Sequence, residues 1–220
     1  ELFSLPDGRR LGEIRIPEGE IQHAALSEDG RYLAVVIEKG PLLLLDAATG
    51  KRLGHIDAMA SPVQSIAIAP QGQELALTLL GSGEAKHGQL KQYTLPDLRE
   101  KASHKLHERC FEVEYSPDGR FVAVMEDYDI VVRQTADGRR TTIVRNTNGR
   151  SFVYTHDGRH IATEPGSGHY EEKAVAVFDA VTGRPVHFFV EGQEHDFDGA
   201  RDLLLSPDGR SLVATKGYRD

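Results

Sequence analysis

Ser116-Pro117-Asp118-Gly119-Arg120, running into Phe121-Val122-Ala123-Val124, is the stretch that decides the fold. Pro117 pre-sets φ for the first central position of a turn, Asp118 suits the second, and Gly119 accepts the left-handed conformation that a larger side chain resists. A β-rich run from Phe111 to Tyr115 precedes the turn and another from Phe121 to Met125 follows it. The stretch reads as strand, type I turn with a glycine bulge, strand. The same phrase returns as Ser27-Glu28-Asp29-Gly30-Arg31, Ala69-Pro70-Gln71-Gly72-Gln73, Thr155-His156-Asp157-Gly158-Arg159 and Ser206-Pro207-Asp208-Gly209-Arg210.

A second hairpin alternates with the first. Leu42 to Leu45 run into Asp46-Ala47-Ala48-Thr49-Gly50-Lys51 and then Arg52 to Ile56, and Val175 to Phe178 run into Asp179-Ala180-Val181-Thr182-Gly183-Arg184 and then Pro185 to Val190. In both, the Asp carboxylate can accept N–H groups of the turn while the Gly supplies positive φ. Looser copies are Leu5-Pro6-Asp7-Gly8-Arg9, Leu95-Pro96-Asp97-Leu98-Arg99 and Thr135-Ala136-Asp137-Gly138-Arg139. Successive glycines of the first hairpin recur every roughly 40 to 50 residues, the period of propeller blades. With strands a to d in each unit, the reading is a c–d half unit over 1–17, full units over about 21–57, 63–107, 111–146 and 150–191, and an a–b half unit over 200–216. Each unit is a four-stranded antiparallel meander that cannot bury both faces alone, so neighbours must stack. Capped helix-period patterns are absent, and the fold class is all-β.

Strand-Ser-Pro-Asp-Gly-Arg-strand alternating with strand-Asp-x-x-Thr-Gly-strand resembles the WD40 and WD40-like β-propeller superfamily over nearly the whole chain. Leu45 and Phe178 stand where the Trp of the Trp-Asp dipeptide would be, the chain has no Trp, and no Gly-His pair opens the units. The likeness is therefore to prokaryotic WD40-like or TolB-like repeats. It implies a propeller of four full blades and two half blades, and a role in binding proteins. The two half units could join as one composite blade of a five-bladed ring. WD40-like rings commonly have about seven blades, so a fragment of a larger ring, in a longer chain with other domains, is the expectation.

The formal charge of −8, from 26 Lys and Arg against 34 Asp and Glu, argues against a nucleic-acid surface. No apolar run approaches the ~18 residues of a membrane helix, so no membrane insertion is expected. The one cysteine, Cys110, excludes an internal disulfide and a multi-Cys zinc site. That suits the cytoplasm and leaves the periplasm open. Cys110 reads as a small buried hydrophobe. His104 and His107, read on one strand, point to opposite sides, and His156 fills the place Pro117 takes elsewhere. No Gly-x-Ser-x-Gly, phosphate-loop or His-Glu-x-x-His pattern occurs, so neither catalysis nor a cofactor has support in the sequence.

In a meander the a–b and c–d turns share one end and the b–c and d–a loops the other. Charges sorted this way nearly balance at the turn end and leave an acidic excess at the loop end. The loop end also carries the long connections 81–88, 165–172 and 191–199, and rigid scaffolds bear function on such loops. The candidate partner-binding residues are His87, His169, Tyr170, Glu171, Glu191, Glu194, His195, Asp196 and Asp198, facing a basic or mixed-charge protein. Asp196-Phe197-Asp198-Gly199, between Glu194 and Asp202, clusters carboxylates without the 12-residue EF-hand spacing, so no metal is expected. Four residues before each a–b turn lie His23, Ser65, Glu112, Ser151 and Asp202, a candidate polar ring at the mouth of a central channel. The leading reading is a non-catalytic interaction scaffold. The alternative is the gating or substrate-positioning propeller of a larger enzyme, or a small-ligand site at the channel mouth.

Overall fold

The computed structural model describes residues 2–3, 7–16, 19–81, 87–145, 147–165, 173–190, 200–206 and 208–216, with backbone alone at 2, 11, 148–150, 165, 173–174, 190, 200–202 and 215–216. A hairpin of β1 (Leu2–Phe3) and β2 (Arg10–Gly12) comes first. Blade 1 is β3 (Ile21–Leu26), β4 (Tyr32–Ile37), β5 (Leu42–Asp46) and β6 (Arg52–Ile56). Blade 2 is β7 (Val63–Ile68), β8 (Glu74–Leu79), β9 (Gln89–Thr94) and β10 (Glu100–Lys105). Blade 3 is β11 (Cys110–Tyr115), β12 (Phe121–Glu126), β13 (Asp129–Gln134) and β14 (Arg140–Val144). Blade 4 is β15 (Thr147–Tyr154), β16 (His160–Pro165), β17 (Lys173–Asp179) and β18 (Pro185–Val190). A hairpin of β19 (Ala200–Leu205) and β20 (Leu212–Lys216) ends the series. Each blade is an antiparallel meander in chain order, no helix occurs among the described residues, and the two hairpins remain separate two-stranded sheets.

Burial explains why the middle strands read as unbroken apolar runs. Ala34 to Ile37, Leu42 to Leu45, Leu75 to Leu79 and Val122 to Met125 are buried on both faces, between two blades in blades 2 and 3 and between blade 2 and the segment after β2 in blade 1. The outer strands β6 and β10 alternate instead, one face to the neighbour and one to water. The seams are continuous clusters: Ala34, Val36, Leu42 and Leu44 of blade 1 against Ile66, Leu75, Leu77 and Tyr93 of blade 2. Met125, Ile130 and Val132 of blade 3 meet Phe152, Ile161 and Phe178 of blade 4. Leu203, Leu212 and Ala214 of the last hairpin pack on Ala162 and Val175, and Ile14 and Ile16 after β2 cover Val35 and Leu43. β3, β7, β11, β15 and β19 neighbour one another in order and form the inner rim.

The a–b turns have the expected bulged geometry. Ser27, Ser116, Thr155 and Ser206 each donate a hydroxyl hydrogen bond of 2.6 Å to the Asp two residues on. That Asp accepts the backbone N–H of the following Arg at 3.0 Å. The hydroxyl donor first, and the N–H second, hold Asp29, Asp157 and Asp208 below the usual carboxylate range. Blade 2 has Ala69 and Gln71 at these places and keeps only the backbone bonds, so a backbone-bonded turn suffices for the hairpin. Consecutive turns touch. Gln71 Nε2 donates to the Asp118 carbonyl at 2.9 Å, and His156 Nε2 lies 2.7 Å from the Ser206 carbonyl. His156 thus does more than replace proline: it ties blade 4 to the last hairpin.

Gly30 and Gly183 share a φ of +68° but not their surroundings. A Cβ at Gly30 meets nothing within 4 Å, whereas one at Gly183 lands against the Ile143 carbonyl oxygen of the preceding blade. Gly30→Ala should cost about 1 kcal/mol of left-handed strain, and Gly183→Ala about 3 kcal/mol with the added clash. Urea unfolding of the two variants checks this, and equal costs would contradict the inter-blade contact.

Candidate functional site: inner rim and loop face

Every a–b pair breaks register near the start of its innermost strand, and the five polar rim positions sit at those breaks. The irregularities fall between Ile21 and His23, Val63 and Ser65, Cys110 and Val113, Thr147 and Phe152, and Ala200 and Leu203. Such bulges turn a side chain out of the sheet's own alternation. Here they aim it at the next blade. His23 Nε2 lies 3.2 Å from the Val63 carbonyl, Ser65 Oγ accepts from Val113 N–H at 3.3 Å, Glu112 Oε2 from Phe152 N–H at 2.7 Å, and Ser151 Oγ from Leu203 N–H at 3.3 Å. Each residue clips its innermost strand to the following one. These four lie on successive blades, and the side chain of Asp202 lies outside the described residues. Burial first, opposed by the Val63 bond, holds the His23 imidazole below its usual pKa.

Blade 3 adds a residue that reading along the chain passes over. Glu114, two residues after Glu112 on the same face of β11, accepts from Tyr154 N–H at 3.0 Å. Two carboxyls of one strand therefore cap alternate N–H groups of β15, those of Phe152 and Tyr154. Glu114 is only partly open to water and is enclosed by protein, and burial, with Glu112 beside it, pushes its carboxyl up to about 8. The signal was present in the repeats: the same place before the turn is Ala25, Ala67, Val153 and Leu204 in the other units.

On the loop face, many of the acidic groups are paired. Glu126, at the end of β12, is fully buried and holds Arg133 Nη2 directly, with Arg140 Nη2 at 3.8 Å and the His107 N–H at 3.2 Å. Asp127 pairs with His107 Nδ1 at 3.0 Å and Asp129 with Arg145 at 3.7 Å, so formal counting overstated the free charge here. β10 ends at Lys105, and His107 lies beyond it in the loop rather than on the strand with His104. Between the two aspartates Tyr128 is 58% exposed. Its turn is anchored on both sides: the Asp127 N–H donates to the Arg109 carbonyl at 2.8 Å, and Thr147 donates its N–H and its hydroxyl to the Tyr128 carbonyl at 2.8 and 2.9 Å. His87 is exposed near the same end. His169, Tyr170, Glu171, Glu191, Glu194, His195, Asp196 and Asp198 lie outside the described residues. Cys110 is buried, donates to the Leu79 carbonyl at 3.0 Å, and its thiol is pushed up to about 11 by burial, as an inert packing residue should be. Among the described residues no His, Cys, Asp and Glu group could hold a metal ion, and no helix is long and apolar enough to cross a membrane.

Stacked four-stranded antiparallel blades whose innermost strands follow one another define a β-propeller fold. Among the solved structures that match it are two that each cover 91% of this chain. One is hydrazine synthase from Kuenenia stuttgartiensis, with a TM-score of 0.72 and 20% identity over 91% of this chain and 56% of that one. The other is the Cps50 (Swd1) β-propeller domain from Myceliophteria thermophila, with a TM-score of 0.74 and 14% identity over 91% of this chain and 64% of that one. The chain thus spans less than two thirds of the length of either. No family model and no curated protein matches it. At these identities the likeness is one of fold.

The raised Glu114 carboxyl makes stability depend on pH with a definite sign. The folded protein keeps the proton to about pH 8, while the unfolded chain releases it near the ordinary glutamate value. Its contribution is complete below that ordinary value and is lost as pH rises to about 8. Glu114→Gln keeps the acceptor for Tyr154 and removes the titration. Urea midpoints of wild type and variant should diverge between pH 5 and about 8, the wild type losing ground; parallel curves would show that Glu114 titrates normally.

Proposed function

We propose that this propeller is a non-catalytic protein-interaction scaffold that docks a basic protein segment on its b–c/d–a loop face. The observation that carries this is Tyr128, an aromatic side chain 58% exposed on a turn anchored from both sides and flanked by Asp127 and Asp129. A tyrosine exposed on an anchored turn costs little to order and offers its ring face to an Arg or Lys. Glu191, Glu194, Asp196 and Asp198 extend the same face in the sequence. A second reading, a propeller within a larger enzyme, draws on the likeness to hydrazine synthase, and a catalytic domain encoded beside this sequence would favour it.

Fluorescence anisotropy with labelled Arg/Lys-rich peptides, and an acidic peptide as control, tests the docking face. Tyr128→Ala should weaken capture about tenfold. Neutralising Glu191, Glu194, Asp196 and Asp198 together should weaken it and flatten its salt dependence. Arg31→Ala, at the turn end, should leave it unchanged. If no basic peptide binds, or if binding ignores the loop-face changes, the scaffold reading of this face is wrong.

A further inference from the structure

The seam between blades 2 and 3 differs from the others. Its inner part is apolar, with Ala76, Leu90, Val113 and Val124 in contact. Its outer part is lined by polar side chains from both walls. Blade 2 contributes Glu74, Gln92 and His104, and blade 3 contributes Tyr115, Arg133 and Thr135. Gln92 Oε1, Arg133 Nε, Thr135 Oγ1, His104 Nε2 and Glu74 Oε2 are shut off from solvent without a hydrogen-bond partner, and the equally enclosed Gln92 amide and Tyr115 hydroxyl reach each other only in poor geometry. Among the described residues only one other buried side-chain atom shares that condition, the Tyr154 hydroxyl in the next seam.

These atoms belong together by register. Gln92 follows Leu90 on the face of β9 that meets blade 3, and Arg133 and Val131 share the face of β13 that meets blade 2. Gln92 stands beside Tyr115, and Arg133 is close enough to His104 to depress its basicity, after burial itself. Arg133 gives one nitrogen to buried Glu126 and leaves Nε unused. Lys101 closes the outside, its ammonium bridging Glu74 Oε1 of blade 2 and the Thr135 carbonyl of blade 3 at 3.4 Å. The His104 ring packs directly on Gly138, where any Cβ would collide with it.

Buried polar atoms are satisfied almost without exception, and leaving this many unpaired in one seam would exceed what a marginally stable fold tolerates. Acceptors and donors are both present, which suits a ligand that can donate and accept in turn. We propose that the outer seam between blades 2 and 3 is a built internal water site, holding about two or three ordered waters at roughly three hydrogen bonds each. The waters accept from Arg133 Nε and Gln92 Nε2, donate to Gln92 Oε1 and Glu74 Oε2, and exchange with the hydroxyls of Tyr115 and Thr135.

Magnetic relaxation dispersion of water oxygen-17 on the intact chain reads long-lived internal waters, and a crystal structure locates them. Gln92→Leu should lower the dispersion amplitude by at least one water, and the near-isosteric Thr135→Val should do so if the larger change disturbs folding, with circular dichroism confirming the fold in each. Ordered waters bonded to these atoms in the crystal support the site. Unchanged amplitude in a folded variant, or a dry seam in which Gln92, Tyr115 and Arg133 bond one another directly, overturns it.

Discussion

A four-stranded sheet whose two middle strands are apolar on both faces is not stable alone in water, and everything else in this protein follows from that. Leu42 to Leu45 and Val122 to Met125 bury side chains to either side of one sheet, each worth about 1.5–3 kcal/mol when fully covered. Only another sheet of the same kind can cover both faces at once, so the blades stack in chain order. The faces at the two ends obey the same pattern: Leu26, Leu204 and Val213 lie at register positions that are sandwiched in the other blades, and here they are more than half exposed.

Stacking alone sets no register between blades, because apolar contact has no direction. Direction comes from polar clips. A bulge in each innermost strand turns one polar side chain toward the backbone of the next strand, and His23, Ser65, Glu112 and Ser151 bond there. Blade 3 carries this further than its neighbours. It has two polar clips on the rim instead of one, both carboxyls, and a buried Glu126–Arg133 pair where other blades place Leu45, Tyr93 and Phe178 in the arginine's position. Removing charges from water costs more than a surface pair returns, so such groups persist only where backbone N–H donors, a partner charge or water satisfy them.

The same economy shapes the loop face. Asp127, Asp129 and Glu126 spend their charge on His107, Arg145 and Arg133, which stiffens the turn carrying Tyr128 rather than leaving a diffuse acidic cloud. A rigid turn with one exposed aromatic is a better basis for specific docking than net charge, which mainly governs encounter. Fold likeness does not choose between scaffold and enzyme domain, since one fold hosts many functions.

The repeated Ser-Pro-Asp-Gly-Arg phrase was enough to read an all-β fold of stacked meanders, because turn chemistry is local: the hydroxyl, the carboxylate and the positive-φ glycine act within five residues of one another. The polar rim positions were legible too, as exceptions on apolar strands. Their use was not, since a bulge of one residue decides whether His23 or Glu112 faces an opening or a neighbour's backbone, and nothing local fixes that. Glu114 escaped notice because its neighbours along the chain look ordinary; only its alignment with Ala25, Ala67, Val153 and Leu204 marks it. Charge on the loop face was read as a sum, while the pairing of Asp127 with His107 depends on two loops from different blades meeting. Local sequence therefore determined the strands and turns, and tertiary structure decided which polar groups are paired, because those partners sit on other strands or loops, the rim clips roughly one blade apart in the chain.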